Sequence, residues 1–167
     1  EFQDFQSCGN WINNQTKKDE AVDRIKIVSP YFDKQIATIP NSDGEDLNQA
    51  VEAASNAFRN WSRTNIRDRA QIMFRFKSII ESDIHNLSSI IALDNGKTID
   101  DALGSIKRGI EVIDFAISMP NILKGESSEV GPGVNCVMTH EPIGVVAGIT
   151  PFYFSVISVL LNILISI

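Results

Sequence analysis

Few side chains in this 167-residue sequence carry reactive chemistry, and their spacing narrows what they could do. Cys136 and His140 lie four residues apart, and a thiol near an imidazole could form a nucleophile–base pair. Cys136, however, stands in an apolar run with no adjacent base, which reads as a small buried side chain. Arg108, in Lys107-Arg108-Gly109, stands off the apolar stripe of its helix and by default is a surface cation; its planar guanidinium would suit a carboxylate bidentately. The stretch 141–154, EPIGVVAGITPFYF, carries the strongest signal. Its β-branched run 143–149, flanked by Pro142 and Pro151, suits a strand covered on both faces, as in a parallel sheet. Gly144 and Gly148 permit close approach to its backbone. Pro151 biases Thr150 toward extended geometry and ends the strand, and ligands of open α/β sheets bind just beyond such carboxyl ends.

Composition excludes some classes and selects none. The 43% hydrophobic and 22% charged residues are ordinary for a globular chain. A net charge of −6 leaves no basic stripe for phosphates, so no nucleic-acid partner is expected. Arg63, Arg67, Arg69, Arg75 and Lys77 are interleaved with apolar residues at helical spacing and read as the solvated face of a helix. Cys8 and Cys136 make neither a disulfide framework nor a metal spacing, which points to a reduced, cytoplasmic-type setting. The opening EFQDFQSCGN lacks a basic region followed by an apolar core, so no signal peptide is expected there. Gly131-Pro132-Gly133 offers glycines without a following helix and so no phosphate cradle.

The elements that position these residues follow from periodicity. Residues 25–28 and 35–39 read as a strand pair turned at Pro30. After the cap signal at 41–45, Leu47, Ala50, Val51, Ala54, Ala57, Phe58 and Trp61 predict an amphipathic helix whose Ala-rich face packs closely against a neighbour. A second helix from Thr64 carries Ile66, Ala70, Met73, Phe74 and Ile80. A third, after a break near Ser82-Asp83, carries Ile84, Leu87, Ile90 and Ile91. Gly96 stops it with positive φ, and Lys97 lies near the negative end of its dipole. Thr98 and Asp101 form a capping-box variant opening a long stripe that runs to Pro120. Residues 124–133 read as a loop and 134–139 as a strand.

Together these residues carry a resemblance. Pro142-Ile143-Gly144-Val145-Val146-Ala147-Gly148-Ile149-Thr150-Pro151-Phe152 resembles the first nucleotide-binding strand of the NAD-dependent aldehyde dehydrogenase superfamily, and its CoA-acylating methylmalonate-semialdehyde dehydrogenase branch most closely. Gly9–Asn14, Ser29-Pro30, the Ala-rich helix and Leu93-Asp94-Asn95-Gly96-Lys97 are similar to other family segments. The resemblance implies an α/β fold with a partial Rossmann-type nucleotide-binding domain, N-terminal helices and an oligomerisation strand. Its implied divisions are 1–133 for the strands and helices of the NAD-binding domain, 134–142 for the oligomerisation strand, and 143–167 for the first nucleotide-binding strand and an apolar tail. By the same resemblance the activity is NAD-dependent oxidation of a semialdehyde to an acyl-CoA, with CoA as co-substrate and a dimer or tetramer as the assembly.

The site residues come over position by position. Arg108 falls where that branch holds the substrate carboxylate, and Thr150 and Phe152 fall where the family lines the nicotinamide pocket. Tyr153 occupies the position of an asparagine that helps form the oxyanion hole, and Ser155 that of a proline. One such amide donor is worth ~2.7 to 4 kcal/mol of transition-state stabilisation, so the Tyr is expected to damage catalysis. The resemblance covers about the first third of the family's length, and the family's nucleophilic cysteine has no counterpart in it. The expectation is therefore an N-terminal fragment, inactive alone, cytoplasmic or, in a eukaryote, mitochondrial. Two other readings stay open: a non-catalytic assembly module, and a tail-anchored membrane protein, since 143–167 holds twenty-five uncharged residues. Against the membrane stand Pro151, two glycines, heavy β-branching and the lack of flanking Lys or Arg.

Overall fold

The structure is a computed structural model that describes residues 6–17, 23–154, 156, 158–160 and 162. Its first part is built from short strands whose turns dictate their pairing. β2 (Asn10–Ile12) and β3 (Gln15–Lys17) form a hairpin closed by Asn13 and Asn14, with φ of 51° and 59°. Two consecutive positive φ values are what a tight type I′ hairpin turn requires, and asparagine tolerates them. β4 (Arg24–Ser29) and β5 (Lys34–Pro40) pair antiparallel, with Ile25 opposite Ile39 and a bulge between Ile27 and Val28. The turn between them closes where the Asp33 N–H donates to the Ser29 carbonyl at 2.9 Å. β1 (Gln6–Ser7) runs parallel along the other edge of β5, giving the order β1-β5-β4. The expected strand pair is thus present and slightly longer at both ends.

The helices begin and end where the cap residues place them. Asp43 caps α1 (Gly44–Trp61), accepting from the N–H groups of Glu45 and Asp46 at 2.9 and 3.1 Å, and the Asp46 carboxylate reaches back to the Asp43 N–H. α2 (Ile66–Ser82) is capped by Asn65, and the chain breaks at Asp83 before α3 (Ile84–Asn95). Gly96, at φ 74°, ends α3 in the left-handed region. Thr98 caps α4 (Ile99–Ile117), its hydroxyl oxygen accepting the Asp101 N–H at 3.1 Å.

The core lies among α2, α3 and α4. Met73, Ile80, Ile91, Ala102, Ile106, Ile113 and Ala116 bury themselves there with Leu160, and Ile106 and Ile113 are wholly buried on one face of α4. Lys77 of α2 clips to Asp114 of α4 at 2.7 Å across the rim. α1 departs from expectation: it is amphipathic, but none of its residues is buried, and Leu47 is 63% exposed. On its apolar face Ala50, Phe58 and Trp61 are half-buried, and Leu47, Val51, Ala54 and Ala57 stay exposed. α1 is tied to the β2–β3 hairpin by Lys17, which donates to Asp46 at 3.0 Å and Gln49 at 3.1 Å.

After α5 (Met119–Ile122), two sequence expectations are corrected. The stretch read as a loop over 124–133 contains β6 (Glu126–Gly131), paired antiparallel with β7 (Val134–Met138). Its Ser and Glu residues hid it, because almost every residue of this hairpin is exposed and no apolar alternation is needed. The strand expected over 143–149 is unpaired and uncovered: Ile143 is 90% and Ile149 99% exposed. A parallel strand exists only beside its partners, and among the described residues none runs there. Cys136, expected to be buried, lies exposed on β7 because both faces of that hairpin meet solvent.

Candidate functional site

The described structure concentrates its unusual contacts around the loop 152–154. α3 ends in the left-handed Gly96, with Asn95 as its last helical residue and Lys97 just beyond the turn. Both reach the same loop. The Asn95 side-chain amide donates to the Phe152 carbonyl at 2.8 Å, and the Lys97 ammonium donates to the Tyr153 carbonyl. The same ammonium lies 3.9 Å from the centre of the Tyr153 ring and 5.9 Å from that of Phe154, within cation–π range. Tyr153 and Phe154 meet edge to face, with centroids 4.8 Å apart.

The grip has a firm base. Ser29, wholly buried at the end of β4, donates its hydroxyl to the Leu93 carbonyl at 2.6 Å, fixing the last turn of α3 to the sheet. An open cleft of about 440 Å³ lies between Tyr31 and Phe32 on one side and the α3–α4 junction on the other, and Lys97 forms part of its wall. Burial raises the Asp94 carboxyl above its ordinary 3.8. Elsewhere, the hydrogen bond from Lys17 lowers Asp46, and the hydrogen bond to Asp114 raises Lys77.

Beyond the loop the chain returns to α4. Residues 158–160 are helical, and Leu160 packs on Gly109, where an added Cβ would lie 2.5 Å from Leu160 Cδ1. Gly148 likewise lies under the Asn162 side chain, 2.6 Å from where its Cβ would stand. Both glycines thus serve close approach, as expected of Gly148 from the sequence.

The expected site residues are partly gathered. Thr150, Phe152 and Tyr153 share one exposed loop, with Phe152 59% and Tyr153 62% exposed. Arg108 is exposed on α4 beside Gly109, next to the returning segment. Among the described residues no hydrogen bond or ion pair joins Arg108 to that loop. Cys136 and His140 are both exposed and make no dyad contact among the described residues. Ser155 lies outside the described residues. Among those described, no helix is long and apolar enough to cross a membrane.

Sequence reasoning missed Asn95 and Lys97, reading their segment only as a helix stop. The available signal was two polar side chains flanking a left-handed glycine, one on the last residue of the helix and one just past it, where side chains can reach a neighbouring segment.

A sequence profile of the aldehyde dehydrogenase family matches residues 16–167. The chain belongs to the aldehyde dehydrogenase family. It is 43% identical over 129 residues to a malonate-semialdehyde dehydrogenase from Pseudomonas aeruginosa, covering 77% of this chain and 26% of that relative. Its fold superimposes on a methylmalonate-semialdehyde dehydrogenase from Oceanimonas doudoroffii with a TM-score of 0.90 at 34% identity, over 95% of this chain and 33% of the other. A protein from Sinorhizobium meliloti 1021, assigned as a methylmalonate-semialdehyde dehydrogenase and solved with NAD, gives 0.88 at 32% identity, over 92% and 32%. The chain therefore spans between a quarter and a third of the length of these relatives, matching their N-terminal part.

Proposed function

We propose that this chain forms the N-terminal part of an NAD-dependent semialdehyde dehydrogenase that oxidises a malonate- or methylmalonate-type semialdehyde and passes the acyl group to CoA. The observation that carries this reading is the exposed Phe152-Tyr153 loop, pinned at both carbonyls, in a chain 43% identical to a malonate-semialdehyde dehydrogenase. The residues fit the nicotinamide end of the cofactor. The Thr150 side chain and the Phe152 ring face solvent, and the main chain between them and α3 is held. The described residues offer no pyrophosphate cradle, since Gly131-Pro132-Gly133 is the turn of the β6–β7 hairpin. When bound, NAD accepts the hydride from the substrate carbon.

In this reading Arg108 holds the substrate carboxylate through its planar fork, and Thr150 and Phe152 flank the nicotinamide. Tyr153 presents a phenol where the family places an amide donor, so the oxyanion is less well served. The exposed β6–β7 hairpin suits pairing with a second copy, in a dimer or tetramer.

A chimera tests these roles: residues 16–167 replace the matching part of the Pseudomonas relative, and NADH formation is followed with malonate semialdehyde and CoA. Arg108→Ala should raise KM for the semialdehyde about tenfold or more, as loss of a charged hydrogen bond predicts, with KM for NAD within about twofold. Tyr153→Asn should raise kcat by roughly 10²–10³. An unchanged semialdehyde KM in a folded Arg108→Ala chimera removes Arg108 from the site, and an indifferent Tyr153→Asn removes residue 153 from the oxyanion position.

A further inference from the structure

Asn95 and Lys97 form more than two separate contacts. They approach one loop from the two sides of a single left-handed glycine, and each donates to a different, consecutive carbonyl. Two donors on consecutive carbonyls hold the two peptide planes that flank the Tyr153 Cα, and so restrain the backbone dihedrals of residue 153, which one hydrogen bond cannot do. Lys97 adds a third restraint, because its ammonium also covers the face of the Tyr153 ring at 3.9 Å. The base of this grip is rigid: Leu93 is tied to buried Ser29, and Gly96 lies against the Pro30 ring.

We infer that Asn95 and Lys97 are positioning residues that clamp the two peptide planes on either side of Tyr153 and thereby set the orientation of the side chain at 153; the inference rests on the proposed placement of that side chain beside the reacting carbonyl. In this proposal both act through residue 153 and not by contact with substrate or cofactor. Lys97 acts on residue 153 twice, through the main chain and through the face of the ring. The clamp fastens a loop with three exposed aromatics at the end of an unpaired run. It places the polar residues around Gly96 in the reaction, although they belong to a helix stop.

The test begins with the chain itself. Chymotrypsin cleaves after Phe152, Tyr153 and Phe154 only when the loop opens, and amide exchange over 152–154 reports the same opening. Lys97→Met keeps the aliphatic stem and removes the charge; Asn95→Asp keeps the shape and removes the donor. Each should speed cleavage and exchange roughly tenfold, the loss expected for one charge-assisted or side-chain hydrogen bond, with far-UV circular dichroism unchanged. Lys97→Arg should restore protection. In the chimera, Lys97→Met should lower kcat about tenfold with KM for NAD within about twofold, and Lys97→Arg should recover most of it. Cleavage and exchange within twofold of the parent in both variants would show that no clamp exists. A loosened loop with unchanged kcat would refute the positioning role while leaving the anchoring intact. A chimera that folds and carries no activity with Lys97 in place would instead count against the proposed function.

Discussion

Gly104 and Gly109 lie on the same helix, and the structure predicts opposite outcomes for the same substitution. Alanine in a helix interior is favoured over glycine by about 1 kcal/mol. At Gly104 an added Cβ meets nothing within 4 Å, so Gly104→Ala should keep that whole gain. At Gly109 the Cβ would lie 2.5 Å from Leu160 Cδ1, where carbon atoms prefer about 3.5–4.0 Å. Leu160 is only 4% exposed and cannot swing aside freely. Overpacking of this kind costs about 1–3 kcal/mol, so Gly109→Ala should range from neutral to about 2 kcal/mol destabilised. For a chain of this size each kcal/mol moves Tm by about 2–4 °C. The assay is thermal and urea unfolding followed by far-UV circular dichroism, repeated in a Leu160→Ala background. There the clash is gone and Gly109→Ala should stabilise as Gly104→Ala does, giving a coupling of about 1–3 kcal/mol between positions 109 and 160. Equal stabilisation by both substitutions in the parent chain, with no coupling, would mean that Leu160 does not rest on α4.

Two further outcomes follow from single contacts. Ser29→Ala leaves the Leu93 carbonyl without its buried donor and should cost about 1–3 kcal/mol in urea unfolding, while the shape is kept. Asp94 has its folded-state pKa raised by burial, so the folded chain holds this proton more tightly than the unfolded one. Its contribution should therefore grow more favourable as pH falls through the folded value toward 3.8, and be unfavourable throughout neutral pH. Asp94→Asn should stabilise the chain at pH 7 and flatten that part of the pH–stability curve; a less stable variant at pH 7 would contradict the assignment to burial.

The sequence made the helical part legible because its signals are local. The caps at Asp43 and Thr98, the break at Asp83 and the left-handed stop at Gly96 are each decided by a few neighbouring residues. What was not legible depends on partners. The β-branched run at 143–149 has strand propensity, but propensity alone does not pair it. β6 shows the converse, a strand of Glu and Ser specified by its hairpin partner and not by a buried face. Cys136 misled because apolar neighbours on an exposed hairpin do not bury it. In the candidate site, Thr150, Phe152 and Tyr153 could be placed on one loop from the sequence. The residues that hold the loop could not, since the contacts from Asn95 and Lys97 span 57 and 56 positions.

The return of Leu160 to Gly109 has an evolutionary consequence. It closes a loop of about fifty residues that begins and ends on one helix, and the β6–β7 hairpin hangs from its middle. Because closure cost grows only logarithmically, doubling such a loop adds just about 0.6 kcal/mol. The hairpin can therefore lengthen, shorten or change its tip at Pro132-Gly133 across generations while the two fastened ends stay where they are. The hairpin proposed to pair with a second copy and the loop proposed to serve chemistry thus sit on one continuous segment, yet are free to diverge at different rates.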